Sequence, residues 1–126
     1  MNTKRLTVGK AETHKKGWGE ELWIINNDKY CGKLLKFNKG ASFSDHYHIN
    51  KDEAWYVLEG TLELRYYDLA NADRLTKVLK KGDVVHIPSS TPHQLVALEA
   101  STVIEVSTPH EESDSYRIGK GDSQKK

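Results

Sequence analysis

The sequence predicts an all-β domain, built as a β-sandwich or a β-barrel. Nine short stretches have strand-like composition, turn-forming residues separate most of them, and no helical pattern extends beyond a turn or two. The predicted strands are residues 22–26, 33–38, 42–48, 53–59, 61–68, 75–80, 84–87, 93–98 and 102–107.

Each predicted strand is supported by its own pattern or by the turn beside it. In the stretch 61–68, Leu62, Leu64 and Tyr66 alternate with other residues and therefore share one face. Glycine, proline, asparagine, aspartate and serine favour turns, and they interrupt the pattern at residues 26–28, 38–40, 50–52, 60, 82–83 and 88–90. One further short strand is expected at residues 6–8.

Length and composition predict a single domain with flexible ends. The 126 residues, 14.3 kDa in mass, suffice for one hydrophobic core. Residues 1–15 are basic and poor in apolar side chains, so we expect an arm; residues 119–126 are polar and are expected to be a disordered tail. The domain is predicted to span residues 16–118.

Charge and hydropathy exclude several classes of partner. The formal net charge is +1, which argues against nucleic acid or an anionic membrane as the main partner. The longest apolar run, residues 54–58, is too short to cross a membrane, and no secretory signal is recognisable. With one cysteine, Cys31, the chain has no internal disulfide. We therefore expect a cytoplasmic protein.

Three histidines and a glutamate form a candidate metal site. His46 and His48 are two residues apart on a predicted strand and project from the same face. Glu53 follows after four residues at the start of the next strand, and His93 comes later, after Pro92. Such ligands suit one divalent ion of manganese, iron, nickel, cobalt or zinc. A bare His-x-His pair, by contrast, is most often two ordinary, partly exposed residues.

The spacing of this site resembles the first motif of the cupin superfamily at every position. That motif reads Gly40, five residues, His46-Tyr47-His48, four residues, Glu53, six residues and Gly60. The stretch from Gly82 to His93 resembles the second motif, although Ser90 replaces a usual glycine and Ala97 a usual asparagine. The resemblance covers about residues 15–118. It implies a jelly-roll β-barrel, or double-stranded β-helix, with the metal inside and commonly a homodimer.

A narrower resemblance is to the cupin domain of type II mannose-6-phosphate isomerases. The residues that carry it are Lys16 to Glu21, Glu53-Ala54-Trp55, Ile104-Glu105-Val106 and Tyr116-Arg117-Ile118. Four positions depart from that family: His46 replaces glutamine, Lys51 arginine, Ala54 histidine and Gln94 arginine. The loss of an arginine after His93 removes a cation suited to a phosphate or an enediolate oxygen.

The resemblance implies a metal-dependent sugar-phosphate isomerase acting on a small polyoxygenated molecule such as a hexose phosphate. Candidate substrate contacts are Lys36, Lys51, Gln94 and Arg117, and candidate general bases are His86, Lys36 and Tyr66. Two alternatives remain open: a dioxygenase with a ferrous three-His, one-Glu site, and a module that binds a metal or a sugar without turnover. Lys33 and Lys36 are expected to face solvent, with substrate contact as the alternative, and His110 is expected at the surface.

A homodimer is expected on grounds beyond the resemblance. Three tryptophans and the apolar run 54–58 exceed what one small interior readily holds. Pairing of two chains would also protect the exposed sheet edges of a small jelly roll.

Overall fold

The protein folds into two antiparallel β-sheets that face each other across one core. The structure is a computed structural model, and it describes residues 5–124. Its strands are β1 (Glu12–Lys16), β2 (Gly19–Asn26), β3 (Cys31–Phe37), β4 (Asp45–Tyr47), β5 (Glu53–Glu59), β6 (Thr61–Tyr67), β7 (Arg74–Lys80), β8 (Val84–Ile87), β9 (His93–Ala97), β10 (Ser101–Ser107) and β11 (Tyr116–Gly119). The 3₁₀-helices are Glu112–Asp114 and Asp122–Gln124.

The strand order is that of a jelly-roll barrel. One sheet has the order β1-β2-β3-β10-β5-β8 and the other the order β11-β4-β9-β6-β7. Strands distant in sequence are therefore neighbours, as β3 and β10 are, while hairpins join β1 to β2 and β6 to β7. The prediction of an all-β jelly-roll fold is confirmed.

The core lies between the two sheets and is made mainly by alternate residues of β3, β5, β6, β9 and β10. On β3, Cys31, Lys33, Leu35 and Phe37 are buried, whereas Lys36 is exposed. Trp55, Val57, Leu62, Leu95 and Val103 are almost fully buried in the same core. Because inward positions recur every second residue, a charged residue in phase with them also points inward.

The N-terminal part of the chain differs from the sequence-based expectation. Residues 6–8 form no strand; the edge strand is β1, at Glu12–Lys16, which pairs with β2. Near the other end, Asp122 donates its N–H to the Ser42 carbonyl (2.8 Å), and Ser42 N–H donates to the Asp122 carboxylate (2.8 Å). Residues 1–4, 125 and 126 of the arm and tail lie outside the described residues.

Within residues 5–124 the structure has no helix with the length and apolar character needed to cross a bilayer.

Candidate metal centre

Three histidines meet in the barrel interior. His46 lies on β4, His48 one residue beyond that strand and His93 at the start of β9, where it is the register partner of His46. One ligand atom from each ring lies within 4.8 Å of those of the other two. The pairing of β4 with β9 therefore brings together residues that are 45 or more positions apart in the sequence.

Backbone hydrogen bonds fix the orientation of all three rings. The Nδ1–H groups donate to backbone carbonyls: His46 to Ser44 (2.6 Å), His48 to Asp114 (3.0 Å) and His93 to Thr91 (2.8 Å). A carbonyl oxygen can only accept, so each Nδ1 carries the proton and each Nε2 keeps its lone pair. This arrangement is typical of imidazoles that bind a metal through Nε2.

Glu53, the first residue of β5, adds a carboxylate to the group. Its Oε1 accepts a hydrogen bond from Trp55 Nε1 (2.7 Å), and its Oε2 lies 3.4 Å from His48 Nε2 and 3.8 Å from His93 Nε2. Among the described residues, neither Glu53 Oε2 nor His93 Nε2 has a hydrogen-bond partner, although both are buried. Buried polar atoms without partners are costly, and a divalent cation bound between these atoms would satisfy both.

Burial favours the neutral forms of the three histidines and of Glu53. Burial, and for His48 also the Lys51 ammonium, lowers the pKa values of His48 and His93 to about 4. Burial, followed by the nearby His93, lowers the pKa of His46 well below its ordinary value. Burial and the nearby Glu105 raise the pKa of Glu53 to about 7. Neutral imidazoles are ready to ligate, whereas Glu53 must lose its proton when a cation binds.

The four residues line a cavity of about 110 Å³ whose inner wall also holds charged pairs. Lys51 Nζ lies 2.6 Å from Glu105 Oε2, and Lys33 Nζ lies 3.2 Å from Glu21 Oε1. Lys33 and Lys51 are 2% and 4% exposed, so both cations belong to the interior. Glu105 raises the pKa of Lys51 against the effect of burial, and this lysine stays charged.

The exposed side of the cavity is lined by residues that precede β2 and residues that follow β10. Its rim includes Lys16 from the end of β1, Arg117 from β11, and Glu112. His110 also lines the cavity; its Nδ1 accepts from Lys51 Nζ (3.3 Å), and its Nε2–H donates to Glu112 Oε1 (3.2 Å). Because lysine can only donate, these contacts fix the tautomer of His110.

Two of the predicted substrate and catalytic residues, Lys51 and Arg117, line this cavity, and the other four lie elsewhere. Lys36 is exposed on the outer side of β3, and His86 is paired with Asp52 at 2.6 Å on the outer surface. Tyr66 lines a separate cavity of about 600 Å³, and Gln94 is held between Phe43 and Arg74. Gln94 follows His93 on a strand, so it projects to the opposite face.

Four residues at the site were missed or misplaced by the sequence reasoning. Lys33 and His110 were expected at the surface, and Glu105 and Asp114 were given no role. Alternation could have placed both charged residues inside. Lys33 lies two residues before Leu35, and Glu105 two residues after Val103, so each shares the inward face of its strand with a core residue. Asp114 has no such local pattern, because its contacts are with Ile49, Asn50 and Lys51, at least 63 positions away.

Sequence comparison relates the chain to a larger enzyme. The mannose-1-phosphate guanylyltransferase of Sinorhizobium fredii (strain NBRC 101917 / NGR234) is 30% identical over 97 residues, which are 75% of this chain and 17% of that protein. The chain therefore spans about a sixth of the length of this relative.

Solved structures share the fold at low sequence identity. A mutant of Bacillus subtilis oxalate decarboxylase superposes with a TM-score of 0.76 at 17% identity, covering 86% of this chain and 30% of that chain. CapF, solved with the inhibitor 3-isopropenyl-tropolone, gives 0.75 at 18% identity, covering 86% and 34%. The family model described as "Cupin domain" matches residues 33–109, more than half of the chain. With its two-sheet barrel and interior histidines, the chain belongs to the cupin family.

Proposed function

We propose that this cupin is a metal-dependent isomerase that interconverts the aldose and ketose forms of a small sugar phosphate. The observation that carries the proposal is the convergence of three imidazoles and an unpartnered glutamate oxygen in a cavity with two buried ammonium groups. The relative from Sinorhizobium fredii is named for a sugar phosphate, which favours this substrate class.

The donor set fits one divalent transition ion held by His46, His48, Glu53 and His93. Manganese(II) centres are described for Bacillus subtilis oxalate decarboxylase, and the same ligand types suit iron, nickel, cobalt or zinc. When bound, such an ion supplies Lewis acidity, which stabilises negative charge on a carbonyl oxygen as the neighbouring carbon loses its proton.

The protein's own cations complete that charge stabilisation. Gln94 stands where the isomerase family has an arginine after the metal histidine, and its side chain is held by Phe43 and Arg74, away from the cavity. Lys51, in the connection between β4 and β5, supplies a positive charge to the cavity and stays charged beside Glu105. Arg117 and Lys16 at the rim are suited to the phosphate at the far end of the substrate.

His110 is the best placed group to move the proton between the two carbons. Burial, followed by the charges of Lys33 and Lys51, lowers the pKa of His110, so its imidazole is neutral at neutral pH. Its one lone pair, on Nδ1, accepts from Lys51 Nζ, so His110 would take up the proton there once that ammonium turns to the substrate oxygen. Glu105 and Glu112 also line the cavity, but their lysine and histidine partners lower the pKa values of both against burial, which makes them weaker bases. We therefore assign the base to His110 in place of His86, Lys36 and Tyr66.

The test is the interconversion of mannose 6-phosphate and fructose 6-phosphate with manganese, cobalt, nickel, zinc and ferrous iron in turn. We expect activity that a chelator and Glu53→Gln abolish, and a kcat lowered roughly 100-fold or more in His110→Gln with unchanged metal content. Lys36→Gln, an exposed change on β3, is the matched control and should leave the rate unaltered. No conversion with any metal in demonstrably loaded protein would refute the isomerase.

A dioxygenase is the second candidate, because three imidazoles and a carboxylate also suit ferrous iron. Oxygen uptake that depends on ferrous iron would support it, whereas zinc-supported turnover without oxygen would exclude it. A protein that binds the metal and a sugar phosphate but turns over neither substrate class would be a binding module.

We further propose a cytoplasmic homodimer that associates through the outer face of the six-stranded sheet. The register places Ile104 beside Leu34 and Tyr56, and Tyr56 beside Val84, so an apolar row crosses this face. Val106, on the same face of β10 as Ile104, is 57% exposed. Burial of this row against a second copy would remove it from water.

A further inference from the structure

Two buried ammonium groups lie in the inner wall of the metal cavity. Lys33 projects inward from β3, and Lys51 lies in the connection between β4 and β5, just before the ligand Glu53. Two lysines of this kind are expensive to bury unless their charges and donors are used. Their role is therefore a question distinct from that of the metal ligands.

Neither ammonium group has its hydrogen-bonding capacity filled by the described residues. An ammonium has three donors. Lys33 Nζ uses one on Glu21 Oε1 (3.2 Å) and otherwise lies over the Trp23 ring, 4.4 Å from its centroid. Lys51 Nζ uses two, on Glu105 (2.6 Å) and His110 (3.3 Å). Donors of both side chains remain for an acceptor in the cavity.

The charge balance favours an acceptor that is negatively charged. Glu21 offsets Lys33, and Glu105 offsets Lys51. A divalent ion on the three neutral histidines is offset only by the single charge of Glu53, so the loaded interior keeps an excess of positive charge. In a poorly solvated cavity such an excess attracts an anion more strongly than it would at the exposed rim.

We infer that Lys33 and Lys51 form an oxyanion subsite that holds a carboxylate or phosphate oxygen of the ligand beside the metal position. The inference rests on the proposed function in one respect: during isomerisation, the oxygen bound by the two lysines would be that of the enediolate. Anion binding at the subsite does not itself require that the protein catalyse a reaction. It differs from the rim, where Lys16 and Arg117 would take a phosphate at the far end.

The first test observes the lysines directly in the wild-type protein. Protein with ¹⁵N-labelled lysine, metal-free and zinc-loaded, is titrated with inorganic phosphate and separately with glycolate. We expect the Nζ signals of Lys33 and Lys51 to shift with one common dissociation constant, while that of Lys36 does not move. A response to phosphate alone identifies a phosphate as the group bound, and a response to glycolate alone identifies a carboxylate.

The second test removes the subsite without leaving an unpaired buried charge. Lys33→Met combined with Glu21→Gln removes one cation together with its negatively charged partner. In the wild-type protein Trp23 Nε1 donates to Glu21 Oε1 (2.7 Å), and the glutamine keeps an acceptor oxygen for this hydrogen bond. We expect at least tenfold weaker anion binding in this variant and unchanged binding in the control Lys36→Met. If the double variant does not fold, the wild-type titration decides.

Two results would overturn the subsite: Nζ shifts confined to Lys16 at the rim, or no shift with either anion. Equal affinity of the folded double variant and the wild type would also overturn it. The outcome is separate from that of the isomerase. Anion binding at Lys33 and Lys51 without hexose phosphate conversion refutes only the isomerase, whereas conversion with anions bound only at the rim refutes only the subsite.

Discussion

Asp114 should stabilise the loop between His48 and Glu53 more than any other residue outside the proposed metal ligands. Its carboxylate accepts hydrogen bonds from three consecutive backbone N–H groups, those of Ile49 (2.9 Å), Asn50 (3.1 Å) and Lys51 (3.0 Å). Its backbone carbonyl also accepts from His48 Nδ1 (3.0 Å). The short 3₁₀-helix Glu112–Asp114 therefore holds the loop between two proposed metal ligands, His48 and Glu53.

The cost of Asp114→Ala follows from how many of those donors water can reach. A hydrogen bond to a charged group contributes about 1.5–3 kcal/mol, and a buried donor left unpaired costs a similar amount. Ile49 and Asn50 are exposed and can rehydrate, whereas Lys51 is buried and cannot. We expect a loss of about 3 kcal/mol in the free energy of unfolding, or roughly 10 °C in Tm.

Urea unfolding of the metal-free protein measures this loss, and Glu111→Ala is the control. Glu111 precedes the same 3₁₀-helix, is exposed and makes no side-chain capping bond, so its removal should change stability by less than about 0.5 kcal/mol. Asp114→Asn keeps one acceptor oxygen and should lie between the two. Equal stability of Asp114→Ala and Glu111→Ala would refute the reasoning.

The same contact predicts a pH dependence of definite sign. Burial alone would raise the pKa of the Asp114 carboxyl group. The hydrogen bonds from the backbone N–H groups of Asn50, Ile49 and Lys51 outweigh burial and lower this pKa. A carboxylate with a depressed pKa in the folded state stabilises fully above its unfolded-state pKa, near 4. The stability difference between wild type and Asp114→Asn should therefore shrink as the pH falls below about 4.

Three further outcomes are expected. Because burial and Glu105 raise the pKa of Glu53 to about 7, metal binding below that pH should release a proton, and the affinity for the metal should rise with pH up to about 7. Calorimetry in two buffers measures the proton release. A metal affinity that does not depend on pH would contradict this prediction. Val106→Arg should convert a dimer to a 14.3 kDa monomer in sedimentation, and a monomeric wild type would disprove the dimer. Gly121→Ala should lower the free energy of unfolding by about 1–3 kcal/mol, since the added Cβ would meet the backbone of Phe43 and Ser44. The control Gly9→Ala places its Cβ in open space and should leave the free energy of unfolding unchanged; urea unfolding measures both.

Most strands that the sequence predicts well have one buried face, although β2 and β7 bury at most one side chain each. Alternation in β6 and turn residues beside β3, β5 and β8 predict nine strands, and each overlaps an observed strand from β2 to β10. The two strands that it misses, β1 and β11, lie at sheet edges and bury almost no side chain. Without a buried face they carry no hydrophobic period, so only their pairing partners define them.

In the candidate site, too, the sequence predicts the residues that follow a local pattern and misses those placed by the tertiary fold. The spacing of His46, His48 and Glu53 is local, and it predicted the residues that the structure brings together with His93. The hydrogen bonds of Asp114 depend on how the chain returns to the loop, which no local pattern encodes.

Register explains why a charged site can form part of an apolar barrel. On the inner face of the larger sheet, Leu35, Val103 and Val57 form one cross-strand row, and Lys33 and Glu105 are partners in the next row. Two residues along β3, about 7 Å, therefore separate the apolar core from the paired charges. Strands β3, β5 and β10 each carry core residues at one end and site residues at the other. Substitutions in the apolar row should change stability with little effect on ligand binding, whereas those in the charged row should alter binding first, because cross-strand pairing confines each kind of residue to its own end of the barrel.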